Sequence, residues 1–151
     1  MTITSQNLEQ TEALAKEMAT LIKAKDFIAL RGDLGAGKTA FVRGLVGALG
    51  YEYATSPTFS IVHEYETQPT VFHMDLYRLH DVADLFDLGY EDYTERNGVI
   101  LMEWPERAES ILPPNRLEIS IRYGQEGDDT RIITLTPFGN WVERLSVRAA
   151  P

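Results

Sequence analysis

Residues 27–41 read FIALRGDLGAGKTAF, and this stretch restricts the fold more than any other. The spacing Gly32-x-x-x-x-Gly37-Lys38-Thr39 is that of a loop whose backbone N–H groups close around phosphate. Such a loop works only between a buried strand and the first turn of a helix, because the helix N-terminus supplies part of the positive field. Both flanks are present. Residues 26–30, DFIAL, form a short apolar run suited to a buried strand. Residues 38–49 read as a helix stopped by Gly50. A strand–loop–helix unit of this kind puts a parallel sheet at the centre.

The rest of the chain extends that sheet. Residues 8–22 read as an amphipathic helix, with Leu14, Met18, Leu21 and Ile22 at helical spacing and Asn7 or Ser5 as its cap. TFSIVHEY (58–65) and TVFHMDLY (70–77) are β-branched and aromatic, and the intervening TQP predicts a hairpin. Residues 81–89 predict a helix with Asp81 at its acidic start and Gly89 after its end. GVILMEW (98–104) predicts a central strand, and Pro105 then suits the first turn of a short helix. RLEISIRY and TRIITLT alternate on either side of GQEGDD and predict a closing antiparallel hairpin. The expected fold class is α/β: a three-layer, P-loop NTPase-like domain over residues 1–151, its mixed sheet mainly parallel with added antiparallel hairpins.

Composition narrows the function classes. The chain is 44% apolar and 25% charged over 151 residues, values that suit one soluble core. No apolar run approaches the roughly 20 residues of a membrane span. The opening MTITSQNLEQTEALAKEM lacks the basic start and apolar stretch of a signal peptide. With no cysteine there is neither a disulfide framework nor a thiolate metal site. A cytoplasmic location is therefore expected. The net charge of −9 opposes tight, direct contact with a phosphate backbone, and is equally compatible with docking on a basic protein or with plain solubility.

The candidate nucleotide-binding residues centre on the loop: Asp33, Leu34, Gly35, Ala36, Gly37, Lys38, Thr39 and Ala40. Lys38 has the reach for β- and γ-phosphates, and Thr39 offers a hydroxyl to Mg²⁺. Hydrolysis also needs a carboxylate near that cation, typically where a buried strand ends. Glu103 closes VILME and Asp75 closes VFHMD, so both are candidates for catalysis and for the metal. Asp75 has an alternative in an ordinary ion pair with Arg78. Thr58, in SPTF ahead of a strand, fits a γ-phosphate or Mg²⁺ contact, although Ser-Pro-Thr is also common turn chemistry. His63 and His73 lack a third ligand and read as satisfied polar residues beside the site. No asparagine opens an Asn-Lys-x-Asp guanine reader, which favours adenine nucleotides. Little chain remains for the lid and acceptor pocket of a small-molecule kinase.

Taken in order and spacing, GDLGAGKT, SPTF, HMDLYRL, LGYEDY and LMEWPE resemble the signatures of the TsaE (YjeE) family. The resemblance runs from about Thr11 to Leu112 and Pro113; beyond it the final hairpin matches in pattern alone. It implies a compact P-loop ATPase required for threonylcarbamoylation of adenosine 37 in tRNA. Its partners would be the TsaD–TsaB pair, with tRNA met only through them and no membrane involved. ATP and Mg²⁺ would be bound and ADP released. The resemblance also implies phosphate contacts from the loop to Thr39, Mg²⁺ on Thr39 and Glu103, a hydrolytic contribution from Asp75 and a γ-phosphate sensor in Thr58. Trp104 would lie close to nucleotide or partner, and Thr11 near the adenine. Two departures stand out. Ala40 replaces a second hydroxyl residue, and Asp128 and Asp129 occupy a loop where an arginine is expected, leaving open any basic contact from that region. The alternatives are a small P-loop kinase or a nucleotide-dependent regulatory module.

Overall fold

A computed structural model describes residues 1–51 and 61–149. Among them, seven strands form one sheet: β1 (Thr2–Ser5), β2 (Phe27–Arg31), β3 (Val62–Tyr65), β4 (Thr70–Asp75), β5 (Gly98–Glu103), β6 (Arg116–Tyr123) and β7 (Arg131–Phe138). Their spatial order is β1-β7-β6-β2-β5-β4-β3. The four central strands, β6-β2-β5-β4, pair in parallel. The antiparallel pairings lie outside them, β3 on β4 at one edge and β7 on β6 with β1 beyond it at the other. This is the α/β mixed sheet expected from the strand–loop–helix unit, with hairpins added at both sides.

Strand β2 shows why the sheet is covered on both faces. Its first four residues, Phe27 to Leu30, are apolar and buried without alternation, as a doubly covered strand requires. Ile28 and Leu30 enter a core with Leu14, Ala15 and Met18 of α1 (Leu8–Ala19), Phe41 and Leu45 of α2 (Lys38–Ala48), and Trp141 and Leu145 of α5 (Trp141–Ala149). Phe27 and Ala29 enter the opposite core with Leu85 of α3 (Val82–Asp87), Tyr90 of α4 (Tyr90–Glu95) and Ala108 of a 3-10 stretch over Pro105–Ile111. Each such aliphatic side chain contributes about 1.5–3 kcal/mol on burial, so the two-sided strand anchors the fold. Helices α1 and α2 meet at Gly44, where an added Cβ would stand 2.6 Å from the Glu12 carbonyl oxygen.

Local chemistry sets the helix boundaries. The Asn7 side chain accepts from the Gln10 N–H at 2.9 Å and starts α1, which ends at Ala19 rather than Ile22. Asp81 accepts from the Ala83 N–H while Asp84 accepts from the Asp81 N–H, both at 3.3 Å, a reciprocal cap for α3. Gly89 does end that helix, but with φ at 87° it also turns the chain straight into α4, an element the sequence reading did not anticipate. Strand β1 and helix α5 likewise go beyond the elements expected from the sequence. The part of the first predicted hairpin strand at 58–60, including Thr58, lies outside the described residues.

Candidate nucleotide site

The loop at residues 32–37 leaves β2 and enters α2. Gly32 passes so close to β6 that a Cβ there would sit 2.6 Å from the Ile121 carbonyl oxygen. Gly37 takes φ 109° immediately before α2, a conformation that costs other residues about 1–2 kcal/mol. The Asp33 carbonyl accepts from the Ala36 N–H at 3.1 Å and closes the turn. A groove opens beside this loop, lined by Leu34, Gly35, Gly37, Lys38, Thr39, Ala40, Asp75, Glu103, Trp104 and Arg131. Asp33 faces a neighbouring depression with Glu106 and Arg107 instead.

Parallel register brings the acids to the loop. Leu30 lies opposite Glu103, and Glu103 lies opposite Asp75, so β4 and β5 finish level, one residue short of the end of β2. Ligand sites of open α/β sheets form at such carboxyl ends. Glu103 is buried, and its Oε1 stands 3.9 Å from Lys38 Nζ. Lys38 is itself buried, donates to the Gly32 carbonyl at 2.5 Å and lies 4.2 Å above the Trp104 ring. Burial lowers its pKa from the ordinary value, against the pull of Glu103 and Asp75. Asp75 is half-buried. Burial pushes its pKa up; the Tyr77 N–H, donating at 3.0 Å, opposes that rise and the Glu103 charge adds to it. No Asp75–Arg78 ion pair exists among the described residues.

Three placements were not legible beforehand. Arg131, on the strand after the acidic loop, returns to the phosphate loop: its Nε donates to the Ala36 carbonyl at 2.7 Å. Tyr123, from the same hairpin, donates to the Gly35 carbonyl at 2.8 Å, and the Arg131 guanidinium stacks 4.4 Å from its ring. Second, His73 is not merely beside the site: Nε2 lies 2.5 Å from Glu103 Oε2. Third, Trp104 adopts φ 57°, ψ 50°, a strained conformation for a bulky residue, immediately after Glu103. Thr11 does not line the groove; it is wholly buried in α1 with its hydroxyl 2.8 Å from Ser5 Oγ. Leu8, one turn earlier, reaches the groove in its place.

The donors suit a hard cation. Among the described residues no three His, Asp or Glu side chains converge to make an all-protein cage. Mg²⁺ characteristically takes one or two carboxylates and completes its octahedron with phosphate oxygens and water. Thr39 at the start of α2, with Asp75 and Glu103 on adjacent strands, matches that donor set. The groove can thus hold an anion against Lys38 and the helix N-terminus, with two carboxylates opposite it.

Residues 5–133 match the family model described as "Threonylcarbamoyl adenosine biosynthesis protein TsaE". A tRNA threonylcarbamoyladenosine biosynthesis protein TsaE from Bacillus subtilis (strain 168) is 44% identical over 141 residues, covering 92% of this chain and 87% of the relative. The same-named protein of Treponema pallidum (strain Nichols) is 37% identical over 129 residues, covering 85% and 96%. A crystal structure of Bacillus subtilis YdiB superposes with a TM-score of 0.79 at 37% identity, covering 99% of this chain and 96% of that one.

Proposed function

The chain belongs to the TsaE family, and from that premise we propose that it binds and hydrolyses Mg-ATP in the groove to serve threonylcarbamoyl adenosine biosynthesis on tRNA. The observation that carries this reading is the meeting of Lys38, at the start of α2, with Asp75 and Glu103 at two level strand ends. In this reading residues 33–40 cradle the phosphates, and Lys38 exchanges the Gly32 carbonyl for a phosphate oxygen. Thr39 and Glu103 hold Mg²⁺, with Asp75 beside them. Mg²⁺ held there would offset the negative charge of the phosphates. Asp75, less buried than Glu103 and lining the groove, positions the attacking water. Trp104 packs on the Lys38 side of the groove and reports occupancy.

The chain acts as one domain on the TsaD–TsaB pair in the cytoplasm and meets tRNA only through those partners. The net charge of −9 supports that indirect route. Among the described residues, no helix is long and apolar enough to cross a membrane. ATP is the preferred nucleotide, since the chain lacks the guanine-reading motif.

Hydrolysis of ATP and GTP by the purified chain, alone and with TsaD and TsaB, tests this. Slow turnover of ATP that the pair accelerates is expected. Phosphorylation of a small acceptor without partners would instead make the chain a kinase. Tight nucleotide binding with no partner-stimulated turnover would make it a regulatory module.

A further inference from the structure

We propose that His73 is a positioning residue: it holds the Glu103 carboxylate in the one orientation that presents its other oxygen to the groove. The inference rests on the reading of Glu103 as a Mg²⁺ ligand.

His73 lies two residues before Asp75 on β4, so both side chains point to the same face of the sheet. On that face Val71, Val99 and Leu101 are fully buried and apolar, while His63 of β3 stands directly opposite and the Tyr65 ring stacks at 6.2 Å. His73 has 0% exposure, and Nδ1 has no hydrogen-bond partner among the described residues. An imidazole in such a place carries a desolvation cost for its unpaired nitrogen that valine or leucine would avoid. Its one hydrogen bond among the described residues is the 2.5 Å approach of Nε2 to Glu103 Oε2. A carboxylate only accepts, so Nε2 carries the hydrogen and donates.

That bond divides the work of the two Glu103 oxygens. Oε2 is engaged by His73 behind the site, and Oε1 faces Lys38 at 3.9 Å on the groove side. Without His73 the carboxylate is free to turn. Its nearest alternative is a closer ion pair with Lys38, which would withdraw an anionic ligand from the cation and a cation from the phosphates together. Groups that orient a metal ligand in this way typically change metal affinity about 10- to 100-fold when removed.

The test compares His73→Leu with His73→Gln, whose amide N–H has the reach to donate to the same oxygen. ADP and a non-hydrolysable ATP analogue are titrated calorimetrically with EDTA and with Mg²⁺, and thermal melting checks folding. We expect His73→Leu to reduce the Mg²⁺-dependent gain in affinity about tenfold or more, to leave EDTA-phase binding within a few-fold, and His73→Gln to restore most of the gain. An unchanged Mg²⁺ gain in His73→Leu overturns the proposal. So does an equal loss with and without Mg²⁺, or a folded His73→Gln no better than leucine. Should leucine not fold, nitrogen NMR of the parent decides: an Nε2–H slow to exchange is expected, and a ring with its hydrogen on Nδ1 alone overturns the proposal. A parent protein with no Mg²⁺-dependent gain at all refutes the metal reading of the groove, and the role of His73 falls with it.

Discussion

Asp75 and Glu103 stand directly opposite each other on neighbouring parallel strands, each the last residue of its strand. The two carboxylates nonetheless occupy different environments. Glu103 is 3% exposed and flanked by His73 and Lys38. Asp75 is half-buried and held by a backbone N–H from Tyr77. Burial pushes the Asp75 carboxyl above its ordinary value, and the neighbouring Glu103 charge adds to that rise. One carboxylate is buried and doubly engaged while the other is half-exposed, a division of environment at a single register position.

That division separates the two acids experimentally. Glu103→Gln should lower Mg²⁺-dependent nucleotide affinity and turnover together, because a fixed ligand serves ground state and transition state alike. Asp75→Asn should leave ADP affinity within a few-fold and cut single-turnover hydrolysis by on the order of 100-fold. Single-turnover assays paired with calorimetry distinguish the two. Normal turnover by Glu103→Gln would remove it from the metal site.

The phosphate loop is also held from behind. Arg131 and Tyr123 of the β6–β7 hairpin donate to consecutive loop carbonyls, Ala36 and Gly35. Arg131→Gln should loosen the loop and weaken ADP binding about tenfold, since the charged, buried bond contributes roughly 1.5–3 kcal/mol. Tyr123→Phe, at a half-exposed position, should cost less than about 1 kcal/mol. If the hairpin acts as one clamp, the double variant should lose less than the sum of the two in a calorimetric double-mutant cycle.

How much of this was legible depended on the distance over which each feature is encoded. The loop is a local motif, so Gly32, Gly37, Lys38 and Thr39 were readable, as were Asp75 and Glu103, each of which ends an apolar run. The bond from Arg131 to Ala36 spans 95 residues, and nothing local to an acidic turn signals it. The His73–Glu103 contact depends on parallel register between strands 30 residues apart, which alternation alone cannot fix. Thr11 is turned away from the groove by a contact of the same kind: it bonds Ser5 of β1, a four-residue strand too short to announce itself. Helix α5 did carry a signal, Trp141 and Leu145 one turn apart and both buried.

A second charge cluster should make stability depend on acid. Glu118 accepts from Arg31 at 2.9 Å and from Arg116 at 3.0 Å. Burial alone would raise its pKa, but the two guanidinium hydrogen bonds outweigh burial and hold it below the ordinary 4.5. A carboxyl depressed in the folded state stabilises the fold above the unfolded value and loses that contribution as pH falls through the folded one. Glu118→Gln should therefore be less stable than the parent at neutral pH by about 1 kcal/mol. The gap should close below about pH 4.5. Denaturant melts at several pH values check this, and a pH-independent gap would assign the loss to packing instead.

Two glycines in α2 should respond to alanine with opposite signs. In a helix interior, alanine is favoured over glycine by about 1 kcal/mol, because glycine loses more backbone freedom on folding. At Gly47 an added Cβ meets nothing within 4 Å. Gly47→Ala should therefore stabilise the protein by roughly 0.5–1 kcal/mol. At Gly44 the same methyl would lie 2.6 Å from the Glu12 carbonyl oxygen and 2.9 Å from both Ala15 Cβ and Glu12 Cα. Those atoms belong to the backbone and first side-chain carbon of α1, which cannot rotate away, so the helices must separate. Overpacking of this kind typically costs 1–3 kcal/mol and exceeds the gain in helix propensity. Urea denaturation of the two variants gives the comparison. Since α2 begins at Lys38, a shift of that helix should also reduce ADP affinity in Gly44→Ala and not in Gly47→Ala. A Gly44→Ala protein as stable as Gly47→Ala would show that α1 yields freely and does not fix where the phosphate loop sits.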